Sequence, residues 1–338
     1  MKNSQDSDFD LISKLYNETV KYDTEMNPQY KRYFASSVVG SLATVFIALV
    51  AIAGNLAVIF ASIWNEALKV QIGNKLIMYL SAIDILTSVY VMIPSAIAVA
   101  CDYWPLGTNV CRISTVFNYL CSCSSCFIIA CISFDRAIAV TYPLKYRTLI
   151  TDKIMFIFCS VVFSVSFTAA LLGIVPNWFG YEYSLGVCSV HYTTITDRKF
   201  FYIVIGGAIS CFYLPALVVG VCSAVIFITA KGVENSIRPL FGKRHLVHPV
   251  NSPHMRKSII SMIVVFLVYY ICFTPYAIIK QLKVFFGINV PPWCNYFTTI
   301  CIFASSAVNP FIYAILRKDY RVALKKLPGM LVEKFYCH

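Results

Sequence analysis

Residues 35–63 read ASSVVGSLATVFIALVAIAGNLAVIFASI, a run without one charged side chain. An α-helix rises about 1.5 Å per residue, so roughly 20 apolar residues cross the hydrocarbon core of a bilayer. The run exceeds that length, and its apolar residues go all round the helix instead of forming the single stripe of a water-exposed helix. It predicts a membrane-spanning helix.

Outward along the chain, six more segments meet the same test, at approximately 73–98, 109–141, 153–176, 200–230, 256–283 and 294–316. The last is the most dilute, because Asn295, Ser305, Ser306 and Asn309 interrupt it. Composition agrees: the 338 residues are 59% hydrophobic and 13% charged, against about 25% charged in soluble domains. The expected architecture is all-α, with a polar amino-terminal tail at 1–34, one seven-helix membrane domain at 35–316 and a short segment at 317–338. The tail has no apolar core followed by a cleavage site, so the first span is expected to direct insertion.

Charge chooses the orientation. With the amino terminus outside the cell, 18 of the 28 basic residues are cytoplasmic. They are Lys69 and Lys75; Arg136, Lys145, Arg147 and Lys153; six from Lys231 to Lys257; and six from Arg317 to Lys334. Such a bias sets topology in the plasma membrane, and the net +12 reads as contact with anionic lipid rather than nucleic acid. Asn17-Glu18-Thr19 is a glycosylation sequon in the tail. Residues 231–255, with Pro239, Gly242, Pro249 and Pro253, read as a flexible third cytoplasmic loop.

Polar groups inside lipid are costly, so each needs a reason. Asp84 is the only acid in the middle of a span. With Asn55, Ser125, Ser305, Ser306 and Asn309 it forms either a hydrogen-bonded link between helices or an oxygen-lined sodium site. Asp135-Arg136 closes the third span, where an arginine anchored at the interface is one explanation. Most of the 14 cysteines, among them Cys121, Cys123, Cys126 and Cys131, lie in apolar runs and read as packing. Cys111 and Cys188 fall in segments placed outside the cell, where a disulfide is allowed.

Taken together, Gly54-Asn55, Asp84, Trp104-Pro105-Leu106-Gly107 leading to Cys111, Asp135-Arg136, Pro215, Cys272-Phe273-Thr274-Pro275 and Asn309-Pro310-Phe311-Ile312-Tyr313 resemble the rhodopsin-like G-protein-coupled receptors. The resemblance covers residues 35–327. It implies a disulfide between Cys111 and Cys188. It implies a switch in which Arg136 leaves Asp135 to meet a heterotrimeric G protein, aided by Asn309, Pro310 and Tyr313, with arrestin as a further partner. It also implies an amphipathic eighth helix over 317–327. Ala304-Ser305-Ser306-Ala307 and Tyr142-Pro143-Leu144 carry a weaker likeness to opsins and melatonin receptors.

Several positions depart from the family pattern. Phe273 and Tyr269 replace the tryptophan and phenylalanine of the sixth helix, Ser223 replaces a fifth-helix tyrosine, and Met255 stands where some relatives carry an acid facing Arg136. Asn118 stands where amine receptors carry an aspartate, so it cannot pair with an ammonium. Phe303 stands where visual pigments carry the retinal lysine, and no lysine lies in the seventh span, which disfavours covalent retinal.

The expected pocket is lined by Asn118, Ser122, Phe273, Tyr276, Lys280, Thr299 and Phe303, aromatic walls with a few polar points that suit a small amphipathic molecule or a peptide end. Lys280 meets a negative group of the ligand, pairs with Glu182 or Asp197, or snorkels at the lipid interface. No phosphate-cradling glycine loop, catalytic acid pair or metalloprotease motif is present in the sequence, and an enzyme is not expected. A lone Asp84 and the lack of an internal repeat argue against a transporter. The expected function is a cell-surface receptor that couples an extracellular ligand to a G protein. The alternative is a receptor-shaped partner subunit that does not itself signal.

Overall fold

The computed structural model describes residues 32–69, 71–174, 179–190, 205–207, 209–241, 253–286, 288 and 290–336. Asn17, Asp197, Gly242 and Pro249 lie outside these residues, as does the side chain of Met255. All seven spans are helices long and apolar enough to cross a membrane. They are α1 (Phe34–Trp64), α2 (Ile72–Cys101), α3 (Gly107–Thr141), α4 (Asp152–Ile174), α5 (Leu214–Phe241), α6 (Pro253–Phe286) and α7 (Pro292–Leu316). An antiparallel hairpin of β1 (Phe179–Glu182) and β2 (Val187–Val190) lies between α4 and α5. It is an element that hydropathy did not signal. A last helix, α8 (Lys318–Tyr336), runs past the expected end at 327.

Helix α3 is the axis of the bundle, packing against α2, α4, α5 and the hairpin. Sixty-one per cent of its most apolar stretch is buried, against 11% for that of α6. The outer helices turn large apolar side chains outward, among them Phe46, Phe227, Ile228 and Ile271. In water such a surface would aggregate; in hydrocarbon it is the natural one.

Prolines set the local departures from α-geometry, since each removes a donor and crowds the carbonyl four residues earlier. In α2, Pro94 crowds Tyr90, and the helix widens into a π-turn over Ser88–Met92. In α5, Pro215 crowds Cys211, and the π-turn Ile209–Tyr213 precedes it. In α7, Pro310 frees the carbonyl of Ser306, which accepts a hydrogen bond from Asn55 Nδ2 at 3.1 Å. Gly54 makes that approach feasible, because a Cβ there would stand 2.9 Å from Pro310 Cγ. The Gly54-Asn55 pair thus repairs the break that Pro310 makes.

Arg317 joins α7 to α8 from a buried position. Its guanidinium pairs with Asp319 at 2.7 Å and lies 4.9 Å from the Tyr320 ring centre. The Tyr320 hydroxyl meets Ser62 Oγ of α1 at 3.0 Å. Burial works to raise the Asp319 pKa, but the hydrogen bond and charge of Arg317 outweigh it and hold the carboxyl below its ordinary value. Arg317 is therefore a structural link between helices, not an exposed basic residue of an amphipathic face.

Candidate functional site

At one end of the bundle, the Asp135 carboxylate, at 1% residue exposure, is gripped from two sides. Arg136 Nη2 pairs with Oδ2 at 2.6 Å. Tyr146, on a short helical turn after α3, donates its hydroxyl to Oδ1 at 2.6 Å. Burial, then the Asp135 charge, raises the Tyr146 pKa, so the phenol keeps the proton it donates. Gly73, in the first turn of α2, lies directly against the pair: a Cβ there would overlap Arg136 Nη2 and stand 2.8 Å from Asp135 Oδ2. Beside the pair a cleft opens between α3, α5 and α6, lined by Ser133, Arg136, Val219, Ser223, Ile226, Ile263 and Phe266. Ser223, which replaces the tyrosine of the family pattern, borders this cleft.

Midway along the bundle, Asn309 Nδ2 donates to Asp84 Oδ2 at 2.9 Å, and the Ser306 hydroxyl also hydrogen-bonds Asp84. Asp84 is 2% exposed. The Ser305 hydroxyl instead donates to the carbonyl of Ile302 at 2.6 Å. Tyr313 is fully buried against Tyr320, with ring centres 5.8 Å apart. The residues expected to act as a switch thus fall into two groups, Asp135 with Arg136 and Asn309 with Asp84, while Tyr313 packs towards α8. Tyr269, a departure from the family pattern, places its hydroxyl 2.9 Å from Cys126 Sγ and links α6 to α3.

At the opposite end, Cys111 and Cys188 form a disulfide with their Cα atoms 5.4 Å apart. It ties the hairpin to the start of α3. The hairpin tip dips into the bundle at Gly186, whose φ of +68 suits glycine. A Cβ at Gly186 would also stand 2.7 Å from both Tyr296 Cε2 and Val99 Cγ2. Beside the tip, Leu185 and Val187 pack with Val91, Met92 and Phe303, bordered by Phe117 and Tyr276. Part of the aromatic wall expected to face a ligand is therefore covered by the chain's own loop.

The remaining pocket residues divide among local partners. Asn118 donates to the Cys188 carbonyl at 3.4 Å, and Phe273 stacks on Phe212 and Tyr269. The Lys280 ammonium lies over the Tyr276 ring at 5.4 Å. Thr299 is buried, its hydroxyl turned to the carbonyl of Asn295. Ser122 is half-buried. Sequence reasoning missed Gly73, Tyr146 and the hairpin tip, along with Arg32, which is buried ahead of α1. A YEY run at 181–183 next to a glycine was the available signal for the hairpin, and nothing local marked the others.

Comparison with known proteins supplies the context for this geometry. The family model for the 7 transmembrane receptor (rhodopsin family) matches residues 54–313. The human 5-hydroxytryptamine receptor 4 is 27% identical over 311 residues, covering 82% of this chain and 76% of that receptor. The histamine H2 receptor of Rattus norvegicus is 27% identical over 301 residues, covering 87% and 80%. The D(1A) dopamine receptor of Xenopus laevis is 26% identical, covering 82% and 69%. The crystal structure of squid rhodopsin aligns with a TM-score of 0.76 over 90% of each chain at 19% identity, a likeness of fold.

Proposed function

The chain belongs to the rhodopsin family of seven-transmembrane receptors, and from that premise we propose that it is a plasma-membrane receptor with its amino terminus outside the cell, coupling an extracellular ligand to a heterotrimeric G protein. The observation that carries the reading is the Asp135–Arg136–Tyr146 lock beside the cleft between α3, α5 and α6. In the lock, Arg136 is neutralised within its own helix. Outward movement of α6 widens the cleft and lets a G protein, and afterwards arrestin, compete for the guanidinium. Asn309, Pro310 and Tyr313 give α7 the hinge that accompanies this movement.

The ligand is a small amphipathic molecule or a peptide end, entering beside the hairpin against Phe273, Tyr276, Lys280 and Phe303, with Asn118, Ser122 and Thr299 as polar points. The relatives reported above are named for amines, but Asn118 gives an ammonium no charge to meet at that position. Asp84 and Ser306, with the buried Ser125 of α3, have the oxygen chemistry for a sodium ion, which bound there would favour the closed bundle. Asn309 faces Asp84 with its amide nitrogen and Ser305 is turned away, so these two contribute least. Loss of sodium-dependent thermal protection in Asp84→Asn checks this part.

The test of the main reading is nucleotide exchange on purified G proteins of each class, with the receptor in lipid nanodiscs. Wild type should stimulate exchange, and Arg136→Ala should fall to the level of empty discs while keeping its surface expression. Equal exchange by both proteins overturns the reading. Silence of wild type with every G protein, in both the presence and absence of serum and tissue extracts, favours the partner-subunit alternative.

A further inference from the structure

The side chain of Arg32 lies just outside α1 and is 2% exposed. Its surroundings are specific. The guanidinium carbon lies 4.1 Å from the Tyr183 ring centre and 5.7 Å from that of Tyr296. Nη2 donates to the Tyr181 hydroxyl at 3.0 Å and to the carbonyl of Tyr183. The Asp102 carboxylate stands 3.9 Å from Nη1. Asp102 ends α2 in the left-handed conformation, with φ 62.

The box is built from parts anchored independently of Arg32. Tyr296 of α7 is held by a 2.7 Å hydrogen bond between its hydroxyl and Thr44 Oγ1 of α1. Tyr181 sits on β1, paired with the disulfide-bonded Cys188. Tyr183 donates its hydroxyl to Asp102 Oδ1 at 2.8 Å, and burial pushes its phenol up to about 12, so it remains a donor.

Arg32 itself is held only in part. Its backbone N–H reaches the Tyr183 hydroxyl at 3.1 Å, yet Nε and Nη1 are buried without a hydrogen-bond partner among the described residues. The next two residues, Tyr33 and Phe34, are 78% and 84% exposed. Two ring faces, a phenol hydroxyl, a carboxylate and a carbonyl around one cation form a recognition site in their own right. The occupant is a tethered side chain with two donors unmade.

We propose that Tyr181, Tyr183, Tyr296 and Asp102 form a binding site for the guanidinium group of an external ligand, with the chain's own Arg32 as its resident competitor. The site adjoins the hairpin tip, where Gly186 meets Tyr296, so a ligand that displaces Arg32 pulls on the loop covering Phe303. It places the ligand's cation at the rim, where Asn118 leaves none to be met deeper down. A competitor on a short tether acts at an effective concentration on the order of mM, and it lowers the affinity of an external cation by the fraction of time the box stands open.

The inference deepens the receptor reading and relies on it only for the side from which the ligand arrives. Its test is a binding measurement that needs no G protein, so the two can fail separately. Propylguanidinium, the Arg side chain without its backbone, is titrated by saturation-transfer NMR against the full chain in nanodiscs, with propylurea as the uncharged control. Arg32→Ala should bind propylguanidinium at least about tenfold more tightly than wild type and should not bind propylurea. Asp102→Asn in that background should weaken this binding a few-fold. Arg32→Gln, which keeps the stem and an amide in the box, replaces the alanine variant if thermal unfolding shows the latter misfolded. Equal binding by wild type and the Arg32 variants, equal binding with and without Asp102, or equal binding of the urea overturns the proposal.

Discussion

Two arginines at opposite ends of the bundle each meet an acid that also accepts a tyrosine hydroxyl, but they are held in different ways. Arg136 projects from the last turns of a long helix, meets Asp135 at 2.6 Å and shares it with one phenol. Arg32 precedes a helix, stands 3.9 Å from an acid whose side chain is 40% exposed, and is held mainly by ring faces and hydroxyls. A close pair in a dry site exchanges its partner all at once, because an unpaired buried charge is costly. A cation on aromatic faces beside a wet carboxylate exchanges more gradually, because water can replace part of each contact. The first arrangement suits a switch and the second suits a competitor.

The comparison breaks most severely if the hairpin end loses its frame. The Cys111–Cys188 bond closes 77 residues, and such bonds stabilise by about 2–4 kcal/mol. Cys111→Ser or Cys188→Ser should therefore sharply lower surface expression, and the double variant should be no worse than either single one. Flow cytometry reads the effect. Two free thiols by mass spectrometry in wild-type protein from the cell surface would contradict it.

Next in size is Gly73→Ala at the Arg136 end. The new methyl overlaps the guanidinium, and overpacking of this kind costs about 1–3 kcal/mol, which is relieved if Arg136 leaves Asp135. Basal nucleotide exchange should rise about tenfold. Gly220→Ala serves as the control, because a Cβ there meets nothing within 4 Å, and it should leave exchange unchanged. A silent Gly73→Ala shows that α2 does not hold the pair shut.

Tyr146→Phe should act in the same direction but more weakly, raising basal exchange a few-fold by removing one of the two groups that hold the Asp135 carboxylate while leaving Arg136 in place. In an Asp135→Asn background, which should itself raise basal exchange, the substitution should add little. Simple additivity of the two would separate the phenol from the lock.

The smallest effect is expected from Asp102→Asn in otherwise wild-type protein. At 3.9 Å and with one partner half in water, the pair should contribute under about 1 kcal/mol, a melting change within about 2 °C that shrinks further in high salt. A loss as large as that from the disulfide variants would mean that the two arginines are held alike.

The sequence carried the Asp135–Arg136 pair, the disulfide cysteines and all seven spans, because each announces itself locally: a charge at the end of an apolar run, a thiol near the edge of one or between two, a stretch long enough for lipid. It did not carry what sits on the far side of those residues. Tyr146 is 11 positions from Asp135, and nothing in Tyr146-Arg147-Thr148-Leu149 distinguishes a buried phenol from a loop tyrosine. Arg317 and Tyr320 read as the polar face of a surface helix, and both are buried.

Hydropathy and length alone determined that this chain spans a membrane seven times, and charge alone favours one orientation, since both are sums along the chain and need no partner. Which residues meet was left to the tertiary structure. Asn55 reaches a carbonyl 251 residues away, Arg32 reaches Tyr181 across 149 and Asn309 reaches Asp84 across 225. Gly73 and Gly186 matter for what they lack, which shows only when a neighbouring helix comes close. In lipid every helix is apolar outside, so hydrophobicity says that the helices are buried but not how they face one another. Close packing and the few polar groups that must find partners decide that.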